Sequence, residues 1–164
     1  MPDIPSQYSM PSGAAPPQNL VVADEDLAQA MRLLPDLPPG CDMAILPRSG
    51  TSLRHLTEHL RDSAPLQTLI LILDGGPGYI RLGGQIIDRR AIGKNQTELT
   101  EWQQLLTADA RLFLLVNGLP QSGVGHEFSH DLSLCLQRPV LPRLLPDART
   151  VLSSLHPEKT APAA

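Results

Sequence analysis

The most recognisable chemical motif in the 164-residue chain is a pair of histidines four positions apart around a glutamate. His126, Glu127 and His130 fit the pattern HExxH, in which two imidazoles one helical turn apart ligate zinc and the glutamate acts as general base. At 100° per residue both histidines fall opposite the apolar side of their helix. A third ligand would have to come from Asp147 or His156, and neither stands in a recognisable motif. We expect surface histidines, with a zinc metallopeptidase site as the alternative.

Two glycine-containing segments offer a second candidate site. Residues 74–78 (DGGPG) and 117–123 (NGLPQSG) each follow a strongly apolar run. In parallel α/β folds, ligands bind beyond the carboxyl ends of the strands. The candidate binding residues are therefore Asp74, Gly75, Gly76, Asn117, Gly118 and Gln121. A hydrolase based on Asp74 would need it to meet Asn117 or Gln121 across the cleft.

The simplest structural interpretation of residues 74–78 is a tight turn whose glycines adopt positive φ. The chain contains no GxSxG nucleophile elbow. It also contains no GxxxxGK[ST] phosphate-binding loop. No cofactor is expected.

The two cysteines, Cys41 and Cys135, form neither a disulfide framework nor a CxxC pair. We expect small buried side chains. The N-terminus shows no basic start followed by an apolar stretch, so no secretory signal is visible. The expected location is cytoplasmic, with export that needs no such signal left open.

The elements that must position these residues alternate between strand-like and helix-like patterns. Apolar runs predict strands at residues 19–23, 43–46, 67–73 and 111–116, the last two buried on both faces. A short extended piece is expected at 138–141, and residues 79–87 predict a β-hairpin. Helices are predicted at 24–34, 97–107, 122–137 and 147–155, and another opens at 49–51.

Two further side-chain placements follow from these helical patterns. His55 and His59 are expected at the polar edge of the helix that opens at 49–51, and Trp102 is expected to pack in the core. The alternation of strands and helices predicts an α/β fold with a mostly parallel sheet flanked by helices.

Composition limits the classes of function. Hydrophobic residues make up 41% and charged residues 18%, enough for a packed core. The Pro-rich segment 1–18 and residues 156–164 predict disordered tails around one domain at 19–155. An aromatic content of 3%, a net charge of −4 and scattered basic residues weigh against nucleic acid as a partner. Apolar runs such as 69–73 are too short to cross a bilayer.

Several short motifs follow one another along the chain. They are DGGPG at 74–78, RLG at 81–83, Trp102, LTADA at 106–110, the apolar strand at 112–116 with Gly118 after it, and Phe128 in the next helix. This order resembles a caspase-like domain found near the N-termini of large bacterial repeat-bearing surface adhesins, within the caspase–gingipain fold group. The resemblance covers residues 19–140 and implies a three-layer caspase-like fold.

The chain lacks the catalytic histidine and cysteine of the group that it resembles. In that fold group a histidine ending one strand is the general base and a cysteine ending the next is the nucleophile, and these positions correspond here to Asp74 and Leu119. A leucine cannot attack a carbonyl, and a carboxylate raises the pKa of a neighbouring thiol.

The resemblance thus implies a catalytically inactive domain that serves as a protein-interaction or scaffold module in a bacterial cell-surface or secretion context. The sequence does not name its protein partner. The alternatives are the HExxH metallopeptidase or another hydrolase, and a subunit that docks in a larger assembly through its sheet edge or its tails.

Overall fold

The computed structural model describes residues 18–25, 27, 40–47, 53–82, 85–116 and 123–155. Within these ranges the strands are β1 (Gln18–Asp24), β2 (Cys41–Leu46), β3 (Leu66–Gly76), β4 (Tyr79–Leu82), β5 (Gln85–Asp88), β6 (Leu106–Val116) and β7 (Val140–Arg143). The helices are α1 (Leu53–Ser63), α2 (Arg89–Lys94), α3 (Gln96–Leu105), α4 (Gly123–Leu136) and α5 (Ala148–Ser153). A 3-10 turn at Leu145–Asp147 precedes α5.

Five strands form a parallel sheet in the order β2-β1-β3-β6-β7. The other two strands make an antiparallel hairpin that pairs with the last three residues of β3. The predicted parallel α/β architecture with a short hairpin is therefore confirmed. The central strands β1, β3 and β6 are buried on both faces, which explains their nearly continuous apolar sequences.

Helices cover the sheet on both sides and complete three layers. On one face, alternate strand residues such as Leu71 and Leu114 pack with apolar side chains of α1 to α4, including Leu56 and Phe128. On the other face, residues such as Ile70 pack with side chains of α5, which include Ala148, Val151 and Leu152. The domain thus has two apolar cores separated by one sheet.

Several boundaries differ from the sequence predictions; for example, β3 extends to Gly76, β2 begins at Cys41 and β7 covers Val140–Arg143. Helix α2 was not predicted, because it has only six residues and one buried side chain, Ile92. Asp88 is its N-cap, and the Asp88 carboxylate accepts a hydrogen bond from the Ala91 N–H at 2.9 Å. Strand β6 begins at Leu106 rather than 111, since Leu106 pairs with Leu66 of β3. Helix α3 consequently ends at Leu105. Most of the helix predicted at 24–34 lies outside the described residues.

Two long-range hydrogen-bond sets tie the helices to the rest of the domain. Arg138, between α4 and β7, donates through Nε to the Thr107 carbonyl (2.7 Å) and through Nη2 to the carbonyls of Gln103 (3.1 Å) and Leu106 (3.3 Å). These interactions satisfy carbonyls where α3 ends and β6 begins. At the other end of the domain, Gln85 Oε1 accepts from the Leu53 N–H at 2.9 Å, so the hairpin caps α1.

Candidate functional site

The site predicted from the sequence lies at the carboxyl edge of the parallel sheet, where β1, β3 and β6 end next to one another. Ala23 of β1 pairs with Ile72 of β3, and Leu73 of β3 pairs with Val116 of β6. Asp24 and Asp74 therefore end neighbouring parallel segments. Residues 117–122 follow β6 directly, but Asn117, Gly118, Leu119 and Gln121 lie outside the described residues.

Asp74 is a half-buried carboxylate at this edge, and its two oxygens face different groups. Oδ1 accepts a hydrogen bond from the Gly75 N–H at 2.9 Å. Oδ2 lies 4.0 Å from Nε of Arg81, which is directly opposite in β4. The carboxylate is thus oriented by its own backbone and by a cation on the hairpin.

Arg81 did not emerge from sequence reasoning, although the turn holds the signal for it. A two-residue Pro77–Gly78 connection pairs Gly76 with Tyr79, and counting back two residues on one strand and forward two on the other sets Asp74 opposite Arg81.

The glycines of residues 74–78 serve close packing. A Cβ on Gly75 would lie 2.5 Å from the Tyr79 carbonyl oxygen and 2.7 Å from Cγ1 of Val116, and a Cβ on Gly76 would lie 2.9 Å from the Tyr79 ring. Gly75 and Gly76 are strand residues, and among the described glycines of this segment only Gly78 has a positive φ, at 81°. The expectation of a whole glycine-rich turn is therefore corrected: the turn is Pro77–Gly78.

Asp24 is the second carboxylate of this edge and is buried, with 2% of its surface exposed. It is the last residue of β1 and directly precedes Glu25, which is helical. This position is compatible with the predicted N-cap role. Since strand residues alternate between faces, Asp24 and Asp74 fall on opposite sides of the sheet by the registers of β1 and β3.

Neither cysteine lies at the carboxyl edge. Cys41 is the first residue of β2, at the opposite edge of the sheet, and Cys135 lies in the last turn of α4. Burial, with a smaller contribution from Asp42, raises the pKa of the Cys41 thiol to about 11. Burial also raises the pKa of Cys135. Both thiols are therefore protonated at neutral pH, and a nucleophilic thiolate is disfavoured at either position.

The HExxH motif lies on the outer surface of α4. His126, Glu127 and His130 are exposed, whereas Phe128 between them is fully buried. The predicted solvent-facing position of the two histidines is confirmed. Glu127 is engaged in an ion pair, with Oε1 at 3.1 Å from Nη1 of Arg89. Across the described part of the chain, no three metal-ligating side chains converge.

A groove lies between α2, α3 and α4, and Arg89 and Asp131 are among the residues that line it. Arg89 bridges Glu127 and Asp131, the latter at 2.5 Å. The groove has a volume of about 320 Å³ and is lined by residues such as Ile92 and Leu134. Its lining residues do not include any from the Asp74 edge, so the groove and the edge are separate features.

Trp102 and the histidines of α1 lie where the sequence places them. Trp102 is buried, and its Nε1–H donates at 2.8 Å to Thr57 Oγ1, which confirms its predicted core role. On α1, His55 is exposed and His59 is half-buried, as expected for a polar helix edge. None of the described helices has the length and apolar character needed to span a membrane.

The domain is thus a parallel α/β domain with an acidic carboxyl edge and a hairpin attached to its central strand. Residues 20–141, well over half of the chain, match the sequence model of the family described as Domain of unknown function (DUF4347). The chain belongs to this family. No curated protein and no solved structure matches it.

Proposed function

We propose that the chain is a catalytically inactive caspase-like domain that acts as a protein-interaction or scaffold module in a bacterial cell-surface or secretion context. One observation carries the proposal. At the end of β3, where the caspase-like group has its general-base histidine, the chain has Asp74, held by the Gly75 N–H and opposed by Arg81. A carboxylate in this environment is an acceptor in a structural interaction and does not activate a thiol.

The order of the strands supports the comparison with that group. The two dyad positions must follow adjacent parallel strands, and β3 and β6 are adjacent, with Leu73 paired to Val116. Position 119 follows Val116 by three residues. Leu119 has no nucleophilic atom, and Cys41 and Cys135 lie elsewhere in the fold. Adjacent parallel strands at the two positions, together with side chains that cannot perform the reaction of the group, support an inactive domain.

The proposal is tested by rebuilding the dyad. The background variant carries Cys41→Ala and Cys135→Ala, so that an introduced thiol is the only one in the chain. Asp74→His with Leu119→Cys is then compared with Leu119→Cys alone by iodoacetamide alkylation between pH 5 and 10. In the caspase-like arrangement, the imidazolium lowers the pKa of the new thiol by about one unit or more.

Two results would contradict the proposal. Equal thiol pKa values in the two variants would mean that the side chains at positions 74 and 119 do not interact. The chain would then lack the caspase-like arrangement. Cleavage of a fluorogenic peptide library by the unaltered chain, abolished by Asp74→Ala, would establish an enzyme. We expect no cleavage by the unaltered chain.

A further inference from the structure

Two arginines from neighbouring strands lie against one aromatic ring. The guanidinium carbon of Arg111 on β6 is 5.5 Å from the centroid of Phe113, and that of Arg143 on β7 is 5.8 Å from the same centroid. The ring itself is 6% exposed, whereas both arginines are exposed. These contacts are cation–π interactions, which at exposed sites contribute about 0.5–1 kcal/mol each.

Neither guanidinium is neutralised by a carboxylate within the described ranges. Arg61 and Arg89 form ion pairs with acidic side chains, but no such pair within 4.0 Å includes Arg111 or Arg143. Among the residues that the structure describes, the hydrogen-bond acceptor of Arg143 is the carbonyl of Pro142. In a chain with a net charge of −4, two uncompensated cations beside one ring form a local basic centre.

The ring holds both cations near one another, because each guanidinium lies within about 6 Å of its centroid. A guanidinium is planar, and its N–H donors lie in that plane, so a cation beside the ring still has donors for a ligand. Those donors match the two oxygens of a carboxylate. Because the cation–π contacts restrict the arginine side chains before a ligand arrives, less conformational entropy is lost on binding.

Two leucines lie next to these residues, Leu141 by strand pairing and Leu144 by its position after Arg143 in the chain. Leu141, which pairs with Phe113 across β6 and β7, is half-buried, and Leu144 is 39% exposed. Arginine and aromatic residues beside aliphatic ones are typical of the energetically dominant part of protein interfaces. Pro142 has no N–H to offer along the outer edge of β7, so recognition by an added β-strand is disfavoured there.

We infer that Arg111, Phe113, Arg143 and the flanking leucines form a docking surface for a segment of a partner protein that combines carboxylates with apolar side chains. This inference rests on the proposed interaction function and specifies the chemistry of the partner. A nucleic acid is disfavoured because two cations neutralise few phosphates and the rest of the chain is acidic.

The test titrates the ¹⁵N-labelled chain with an acetylated hexapeptide of alternating glutamate and leucine, and with its lysine–leucine counterpart. We expect the acidic peptide to shift the amide signals of Arg111, Phe113 and Arg143, and the basic peptide to leave them unchanged. Arg111→Gln and Arg143→Gln should each raise the dissociation constant about tenfold, since each removes a charge-assisted interaction. Raising NaCl from 50 to 300 mM should weaken binding further.

Arg90→Gln is the matched control, because Arg90 is an exposed arginine on α2, away from Phe113, and the change removes the same charge. Absence of shifts at millimolar acidic peptide, or equal weakening by Arg90→Gln, would overturn the inference. So would equally tight binding of inorganic phosphate or a single-stranded oligonucleotide. The dyad experiment measures the pKa of a thiol at position 119 and does not depend on peptide binding. Failure of the caspase-like assignment and failure of this docking surface are therefore distinguishable.

Discussion

Trp102 and Thr57 are joined by a buried hydrogen bond in which the indole Nε1–H donates at 2.8 Å to the hydroxyl oxygen, linking α3 to α1. The same hydroxyl donates to the carbonyl of Leu53, one turn earlier in α1, at 3.0 Å. Thr57 therefore acts as both acceptor and donor within the core, and neither polar group is left unpaired.

Thr57→Val is expected to lower the free energy of unfolding by about 1–3 kcal/mol, because it leaves the Trp102 N–H buried without an acceptor. The measurement is urea denaturation followed by fluorescence, for which Trp102 is the only tryptophan in the chain. Thr57→Ser keeps the hydroxyl and should cost only about 0.8 kcal/mol for the lost methyl group. Equal destabilisation by the two variants would contradict a contribution from the hydrogen bond.

Gly75→Ala is expected to destabilise the fold by about 1–3 kcal/mol, because its Cβ would meet the backbone oxygen of Tyr79 at 2.5 Å. Gly93 in α2 provides the opposite case, since a Cβ there meets no atom within 4 Å. Gly93→Ala should stabilise the fold by about 0.4–1 kcal/mol. Thermal and urea unfolding of both variants check the pair, and a neutral Gly75→Ala would show that β4 does not approach β3 as described.

Arg138→Met is expected to lower the free energy of unfolding by about 3 kcal/mol, because three carbonyls where α3 meets β6 lose a charged donor. Arg138→Lys keeps the charge but has a single ammonium head, so most of the loss should remain. The exposed Arg90→Met serves as the control and should change stability by less than about 0.5 kcal/mol. Full retention of stability in Arg138→Lys would assign the effect to charge alone.

Alkylation of Cys41 should be slow in the native state. Its pKa is raised from 9.0 to about 11, so at pH 8.5 the thiolate fraction should be lower than in the unfolded chain by about two orders of magnitude. The folded state favours the neutral thiol of Cys41. Its contribution to the free energy of unfolding is therefore fully present below pH 9 and is lost as the pH rises towards 11. Iodoacetamide modification followed by peptide mass spectrometry compares Cys41 in native and urea-unfolded protein, and equal rates would contradict the raised pKa.

The sequence was most informative where burial on both faces produced continuous apolar runs. The runs at 67–73 and 111–116 identified the centres of β3 and β6 because the side chains of residues 68–73 and 112–116 are buried. The ends of these strands were missed, since Asp74 to Gly76 are paired with a hairpin and their sequence is typical of a turn. Register with β4, which depends on tertiary structure, decides their conformation.

The candidate site was predictable to a smaller extent. Position in the chain placed Asp74 at a strand end, but the opposing Arg81 depends on antiparallel pairing. The Arg111–Phe113–Arg143 cluster needs the alignment of β6 with β7 and has no local sequence signature. In contrast, the surface position of His126 and His130 followed directly from helical periodicity, because one turn of α4 alternates between core and solvent.

The cap that Gln85 provides to Leu53 joins residues 32 positions apart. The first turn of α1 therefore depends for its order on a hairpin that is synthesised later, and an isolated peptide of residues 53–63 would fray at its start. Hydrogen exchange at the Leu53 amide becomes a reporter of hairpin attachment: when β4 and β5 open, that amide should lose protection together with theirs, as parts of a single cooperative unit.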